Sequence, residues 1–441
     1  MSDAHAQSHV VRLRPAPRII PRTKHTISRA NIDDKALKVL YRLKNAGYKA
    51  YLVGGGVRDL LLGREPKDFD VATDALPEQV RELFRNCRLI GRRFRLAHVH
   101  FGREVIEVAT FRAQHGADTE GEGVMEEGRI LRDNVYGDID DDAWRRDFTV
   151  NALYYNIEDF TVVDYVGGME DIKAGQLRVI GDPRTRYQED PVRMLRAVRF
   201  ATKLGFTIHP DTAGPIYELG HLLEGIPPPR LFEEILKLFL GGAALQTFEQ
   251  LRHYRLFGYL FPQVEASLSE EQGGFPHMLL VRALENTDAR IAEDKPVTPA
   301  FLLAALLWDP LQKQTEEYLA NGVPEGEAMY LAADAVISRQ IARVAMPRRF
   351  TLAAREIWML QHRFHGQTGK RPLRLITHPR FRAAYDFLLL RAQAGEDLQA
   401  LAEWWTAFQE EDPDQRQAML NKLHGPSKSK RRRKRNKARE G

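Results

Sequence analysis

The chain runs to 441 residues, 43% hydrophobic and 28% charged, which is more than one average domain and enough apolar material for a sizeable core. Its one cysteine, Cys87, excludes an internal disulfide and a cysteine zinc site and fits a reducing, cytoplasmic setting. No apolar run is long enough to span a bilayer, and no signal-peptide core precedes a cleavage site, so membrane insertion is not expected.

In chain order, Met1 to Ala30 is an arginine-bearing arm whose only acid is Asp3, and it reads as a disordered extension, with a transit peptide as the alternative. Tyr51-Leu-Val-Gly-Gly-Gly-Val-Arg-Asp59 and Lys67-Asp-Phe-Asp-Val71 follow. They read as a strand, a glycine turn opening a helix, and a second strand carrying two carboxylates. On an extended strand residues i and i+2 share a face, so Asp68 and Asp70 project together, about 7 Å apart along the backbone, while Phe69 turns into the core. Hard oxygen ligands so placed suit magnesium, and two such ions about 4 Å apart can hold the attacking and leaving oxygens of a phosphoryl transfer. Gly54, Gly55 and Gly56 let backbone N–H groups approach phosphate oxygens at a helix N-terminus. No G-x-x-x-x-G-K-[ST] loop is present, and Gly54-x-Gly56-x-x-Asp59 ends in Asp where a dinucleotide fingerprint needs Gly or Ala.

His98 and His100 have no Cys or His partner at ligand spacing, which argues against a metal role. Arg103 to Arg112 alternates as a strand, and Ala113 to Asp142, acidic and poorly patterned, reads as a flexible loop over the site. Glu189-Asp-Pro-Val-Arg-Met-Leu-Arg-Ala-Val-Arg-Phe200 reads as a helix with Asp190 as N-cap, Pro191 at the first position, and Val192, Leu195 and Val198 inward. That leaves Arg193, Arg196 and Arg199 as a basic exposed face. Leu231 to Leu240 and Leu302 to Trp308 are strong helices, joined by loops such as Gly225-Ile-Pro-Pro-Pro229. Trp404, Trp405 and Phe408 suit either base stacking or, more commonly, a core. The net charge of +5 is concentrated at the end of the chain. Residues 428–441 hold nine Lys and Arg against Glu440, a local +8, which leaves −3 for residues 1–427. With no apolar face, Ser427 to Arg439 should be disordered and available to polyanions, unless it merely solubilises.

Strand, Gly-Gly turn, Val-Arg-Asp, apolar helix and Asp-x-Asp, in this order, resemble the head of polymerase beta superfamily nucleotidyltransferases. More narrowly they resemble the tRNA nucleotidyltransferase/poly(A) polymerase family. Further matches run over roughly Ile20 to Gly205: Lys35 to Leu43, Asp164-Tyr-Val-Gly-Gly-Met169, and Arg88 to Val99, whose form is similar to the bacterial poly(A) polymerase branch. Glu-Val-Ile-Glu107-Val-Ala-Thr-Phe resembles the family's Glu-Val-Thr-Thr-Phe-Arg strand, which makes Glu107 a third carboxylate, or else a solvent-side residue. Arg145-Arg-Asp-Phe-Thr-Val-Asn-Ala152 resembles a family motif in which Asp147 belongs to the site or orients an arginine, and Arg145 and Arg146 contact triphosphate or base, as a guanidinium fork suits. The resemblance also implies that Gly55, Gly56, Arg58 and Arg196 serve the nucleotide, and that Asp190 with Arg193 reads the base. A carboxylate takes the adenine amino group and a guanidinium its ring nitrogen; cytosine repeats that pattern, so this pair alone does not separate ATP from CTP.

The expected fold is α+β: a small mixed-sheet nucleotidyltransferase head over residues 31–180, an all-helical neck over 181–260 and body over 261–425, and a disordered basic tail over 426–441. The implied activity is template-independent transfer of AMP from ATP to RNA 3′ ends, of mRNA and other transcripts, with Asp68 and Asp70 holding two magnesium ions. A CCA-adding tRNA nucleotidyltransferase is the nearest alternative. A catalytically silent RNA-binding protein, working through its tail, is the alternative from another class.

Overall fold

A computed structural model describes residues 14–91, 95–113, 124–126, 129–132, 135–270 and 277–423. The tail from residue 424, arm residues 1–13 and Arg92, Arg93 and Phe94 lie outside the described residues. The chain divides into two compact units, residues 1–219 and 220–441, a boundary that falls inside the expected neck.

The first unit is built on an eight-stranded sheet. Its strands are β1 (Arg18–Ile20), β2 (Ala50–Val53), β3 (Asp70–Thr73), β4 (Cys87–Ile90), β5 (Leu96–Phe101) and β6 (Glu104–Thr110), and, after the hairpin β7 (Val124–Glu126) and β8 (Arg129–Arg132), β9 (Leu153–Asn156) and β10 (Val162–Asp164). The order is β1-β10-β9-β2-β3-β6-β5-β4, antiparallel everywhere except between β3 and β6. Alternation sorts its side chains onto two faces. Leu52, Val71, Val99, Ile106, Val108 and Tyr155 share one core with Val39, Leu40 and Leu43 of helix α1 (Asp34–Asn45) and Val80 of α3 (Pro77–Leu83). Val53, Ala72, Tyr154 and Val163 face the other way, against Ala143 of α4 (Ile139–Arg145). Asp70 lies opposite Val53 and Glu107, so it belongs to this second, more thinly covered face.

Between strands, α2 (Gly55–Leu61) follows the glycine turn, and α5 (Gly168–Ala174) follows β10. Asp164 fixes the latter junction: its carboxylate accepts the N–H groups of Val166, Gly167, Gly168 and Met169. A Cβ on Gly168 would sit 2.3 Å from the Thr149 carbonyl oxygen, so only glycine permits that approach. After β11 (Gln176–Leu177) come α6 (Pro183–Glu189), α7 (Val192–Leu204), β12 (Thr207–Ile208) and α8 (Pro210–Leu219). On α7, Val192, Leu195 and Val198 are buried as their spacing predicts.

The second unit is helical throughout its described residues: α9 (Pro228–Phe239), α10 (Ala244–His253), α11 (Phe257–Leu260), α12 (Pro262–Ser269), α13 (His277–Ala292), α14 (Pro299–Leu306), α15 (Trp308–Ala320), α16 (Glu325–Arg343), α17 (Arg348–Phe364), α18 (Arg371–Ile376), α19 (Phe381–Gln393), α20 (Gln399–Glu410) and α21 (Pro413–Leu423). Trp405 and Phe408 are fully buried with Phe364 and Phe381, and Trp404 stacks on Phe408 at 4.7 Å, so this aromatic group is core.

Several expectations are corrected. The arm is not wholly outside the head, because Arg18–Ile20 pairs with β10 and buries Ile20. Asp68 and Asp70 do not share a strand: β3 begins at Asp70, and Asp68 precedes it in irregular chain. Phe69 does turn toward the main core. The Ala113 to Asp142 segment is not loop throughout, since it holds β7, β8 and the start of α4. The neck is not all helix, because β12 pairs with β11 in parallel. Leu302 to Trp308 is not one helix, for Leu307 leaves helical geometry and Trp308 opens α15. Arg193, Arg196 and Arg199 form no exposed face; each is half-buried.

Candidate active site

The glycine turn draws three elements together. Gly54 has φ +72°, and a Cβ there would lie 3.5 Å from Arg146 Nη1 and 3.9 Å from Asp70 Oδ2. The turn, the first carboxylate of β3 and the arginine after α4 are therefore immediate neighbours. Next to it, a Cβ on Gly56 would meet the Asp68 carbonyl oxygen at 3.2 Å, so the bare backbone lets the carboxylate segment lie against α2.

Asp70 is electrostatically uncomfortable. Burial pushes its carboxyl up to about 6, the charges of Glu107 and Asp68 push the same way, and Arg146 offsets only part of this. Glu107 faces Asp70 across the β3–β6 register and stays half-exposed, with His98 Nε2 at 3.5 Å from its Oε1. Among the described residues no group of three or more His, Cys, Asp and Glu converges at metal-binding spacing. The donor set nonetheless fits a divalent cation of the magnesium kind, which takes one or two carboxylates and completes its shell with substrate oxygens and water. Crowded acidic oxygens with a raised proton affinity are relieved by such an ion.

A second cluster lies around Asp147. One carboxylate oxygen accepts the Phe148 N–H at 2.9 Å and the Asn151 amide at 3.4 Å; the other takes Arg196 Nε at 2.8 Å and also Arg196 Nη2. Burial alone would raise this carboxyl, and the Arg196 guanidinium overrides it, holding Asp147 below the usual carboxylate range. Arg58 is only 3% exposed; it donates to Asn151 Oδ1 at 2.6 Å and, from Nε and Nη2, to Asp59 Oδ1 at 2.8 and 2.7 Å.

Arg146 is clamped by residues the sequence reading did not single out. Its Nε and Nη2 donate to Asp142 Oδ2 at 3.1 and 2.9 Å, its Nε reaches the Tyr154 hydroxyl at 2.9 Å, and that hydroxyl donates to Asp142 at 2.7 Å. Burial pushes Asp142 up, but Arg146 and the Tyr154 hydroxyl hold it below the ordinary carboxylate range. The i, i+4 spacing of Asp142 and Arg146 was the available signal.

On α6 and α7 the two residues expected to read the base are each held by neighbours. Asp190 ends α6, and its carboxylate accepts the Val192 N–H at 3.2 Å, so it caps α7 from one position before Pro191. Arg193 pairs with Glu189 rather than Asp190, at 2.9 Å, and donates to the Arg186 carbonyl at 2.6 Å. Arg186 binds Glu189 in turn and, through Nη2, the carbonyls of Arg145 and Arg146 at 2.8 and 2.7 Å. The first two arginines of the Arg-Arg-Asp motif are thus tied by their backbone to α6.

Comparison with known proteins agrees with this architecture. Residues 50–178 match the poly A polymerase head domain, 205–268 the probable RNA and SrmB-binding site of polymerase A, and 321–439 the polymerase A arginine-rich C-terminus. Poly(A) polymerase I of Salmonella typhimurium is 52% identical over 428 residues, covering 96% of this chain and 92% of that protein. The Haemophilus influenzae protein of the same name is 47% identical over 441 residues, 98% and 97% of the two chains. The CCA-adding enzyme of Bacillus subtilis is 40% identical, but over 51% of this chain and 54% of its own. Among solved structures, the CCA-adding enzyme of Bacillus stearothermophilus in complex with CTP superposes with a TM-score of 0.57 at 28% identity, covering 84% and 80% of the two chains. Identity at this level along almost the whole of both chains decides the kinship: the chain belongs to the poly(A) polymerase I family.

Proposed function

We propose that this chain is a polynucleotide adenylyltransferase, which transfers AMP from ATP to RNA 3′ ends without a template and releases pyrophosphate. The observation that carries the reading is the reach of the kinship. Identity to poly(A) polymerase I extends through the helical unit, whereas identity to the CCA-adding enzyme of Bacillus subtilis covers 51% of the chain. Its targets would be transcripts met in the cytoplasm.

Asp68 and Asp70 would hold two magnesium ions, which when bound lower the pKa of the attacking hydroxyl and neutralise triphosphate charge. Around them, the amides of Gly55 and Gly56 and the guanidinium of Arg58 receive the triphosphate, and Arg146, clamped by Asp142 beside Gly54, adds a fixed positive charge. Asp190 and Arg193 read the adenine edge. Arg193 is already oriented by Glu189 and the Arg186 carbonyl, so less side-chain entropy is lost when a base arrives. Glu107 acts on Asp70 through its charge. Asp147 orients Arg196.

The test is to incubate the purified chain with a generic RNA and each nucleoside triphosphate separately, and to follow extension on a gel. Addition of AMP alone is the expected result. Incorporation of CMP as well would identify a CCA-adding enzyme, and RNA binding without any addition would identify a silent RNA-binding protein.

A further inference from the structure

Three motifs that lie far apart in the sequence close into one ring of contacts. Arg58, on the helix of the glycine turn, donates to Asn151 Oδ1 at 2.6 Å. Asn151 donates to one oxygen of Asp147 at 3.4 Å, and the other oxygen accepts from Arg196 Nε at 2.8 Å. Phe200, one turn beyond Arg196 on α7, completes the circuit: its ring centroid lies 5.6 Å from the Arg58 Cζ and 5.3 Å from that of Arg196, with Arg199 at 4.5 Å. Phe148, next to Asp147, meets the same ring edge-on at 5.6 Å. Three guanidiniums around one benzene ring repel each other; the carboxylates of Asp59 and Asp147 neutralise two of them, and the negative face of the ring adds a smaller attraction to all three.

We propose that Phe200 is a positioning residue for nucleotide binding: its ring holds Arg58 ready for the triphosphate and couples it to Arg196 on α7, the helix that carries Arg193 and is capped by Asp190. The proposal rests on the reading of Arg58 as a triphosphate contact. Asp59 and Asn151 take the edge of the Arg58 guanidinium and Phe200 lies within cation–π reach, so the planar group is held from more than one side before the ligand arrives. A guanidinium fixed in advance spends less entropy on binding. Because Phe200 lies beside both arginines, a disturbance at the ring reaches Arg58 and Arg196 together.

The experiment uses the full chain and needs no turnover. Calorimetric binding of ATP and of inorganic tripolyphosphate is measured for the native chain, for Phe200→Leu and Phe200→Tyr, and for chains carrying phenylalanine with increasing ring fluorination at position 200. Fluorination keeps the shape of the ring and withdraws its negative face, so the series reports even where Phe200→Leu fails to fold. The expected result is about tenfold weaker binding of both ligands in Phe200→Leu, rescue by Phe200→Tyr to within about twofold, and a steady rise in log Kd with fluorine number. In the extension assay KM for ATP should rise while kcat changes little. A flat fluorine series, or no tripolyphosphate binding by the native chain, overturns the proposal. A native chain that binds tripolyphosphate, responds to fluorination and adds no AMP would instead overturn the proposed activity and leave the role of Phe200 standing.

Discussion

The two units spend buried polarity differently. Among the described residues, the first unit buries the charged side chains Arg58, Arg112, Asp142, Asp164, Asp171 and Arg186; the second buries Glu234, and its other buried polar residues are neutral Thr, Ser and Gln. Burying an ion costs several kcal/mol before pairing returns part of it, so such groups are a poor way to gain stability. Their concentration beside the glycine turn and the Arg-Arg-Asp motif shows a unit that accepts that cost to fix guanidiniums and carboxylates in place. Both units pack aromatic side chains at 0% exposure, Tyr154 and Phe148 in the first and Trp358, Trp405 and Phe364 in the second, so the difference lies in the buried charge.

On that contrast, damage in the first unit should appear in chemistry, and in stability where a buried charge loses its partner, whereas damage in the second should appear in stability alone. The largest effect is expected for Asp70→Asn, which should lower AMP addition by at least about a thousandfold, read as primer extension under saturating ATP. The same change should stabilise the protein without metal at neutral pH. Native Asp70 titrates at about 6, above its ordinary value, so it binds a proton that the unfolded chain has released. Its penalty is absent below about pH 4, grows as pH rises to about 6, and persists above, where up to about 3 kcal/mol should be recovered on removing the charge. A melting-temperature gain that was equal at pH 4 and pH 7.5 would contradict this origin.

Next, Trp405→Ala should cost about 3 to 4 kcal/mol of stability, since it empties a fully buried site and removes the donor to the Phe364 carbonyl. At a temperature where it is folded, its kcat should match the native value; a large loss of kcat would blur the contrast. Arg196→Ala should follow at about 2 to 3 kcal/mol in chemical denaturation, because the partly buried Asp147 loses its principal counter-charge. Asp147 lies below its ordinary value, so the pair's stabilisation is present above about pH 4 and disappears as pH falls through the native value; the native and variant stability curves should therefore converge in acid. The smallest effect is expected for Arg193→Ala, a loss of about tenfold in kcat/KM for ATP and a reduced preference over UTP. An unchanged ATP-to-UTP ratio would assign Arg193 to structure alone.

What was legible in the sequence was what local spacing encodes. The glycine turn, the helical face of Val192, Leu195 and Val198, and the proximity of Asp68 and Asp70 all sit within a few residues. The rest depends on partners that no local pattern announces. Arg18–Ile20 becomes a strand only because Asp164, Val163 and Val162 lie beside it. Arg186 reads as one more surface arginine until its target, two carbonyls some forty positions earlier, is known. Leu302 to Trp308 is apolar on every side, so it carries no period from which the break at Leu307 could be read. Asp190 and Arg193 stand out by resemblance, whereas Glu189, the acid one turn before Arg193 that holds it, was legible only as an i, i+4 spacing.

The single parallel pairing in the sheet sets a condition on how the site comes into being. Asp70 and Glu107 become neighbours only when β6 returns alongside β3 after α3, β4 and β5 have been laid down. During synthesis, a nascent chain that has emerged only as far as Phe101 holds both Asp68 and Asp70 but lacks the opposing strand, and so lacks the Glu107 charge that adds to burial in raising the proton affinity of Asp70. Under the proposed assignment of Asp68 and Asp70 as metal ligands, affinity for a divalent cation would be a mark of maturity in the head, acquired at the closure of one long crossover rather than with the Asp-x-Asp sequence itself.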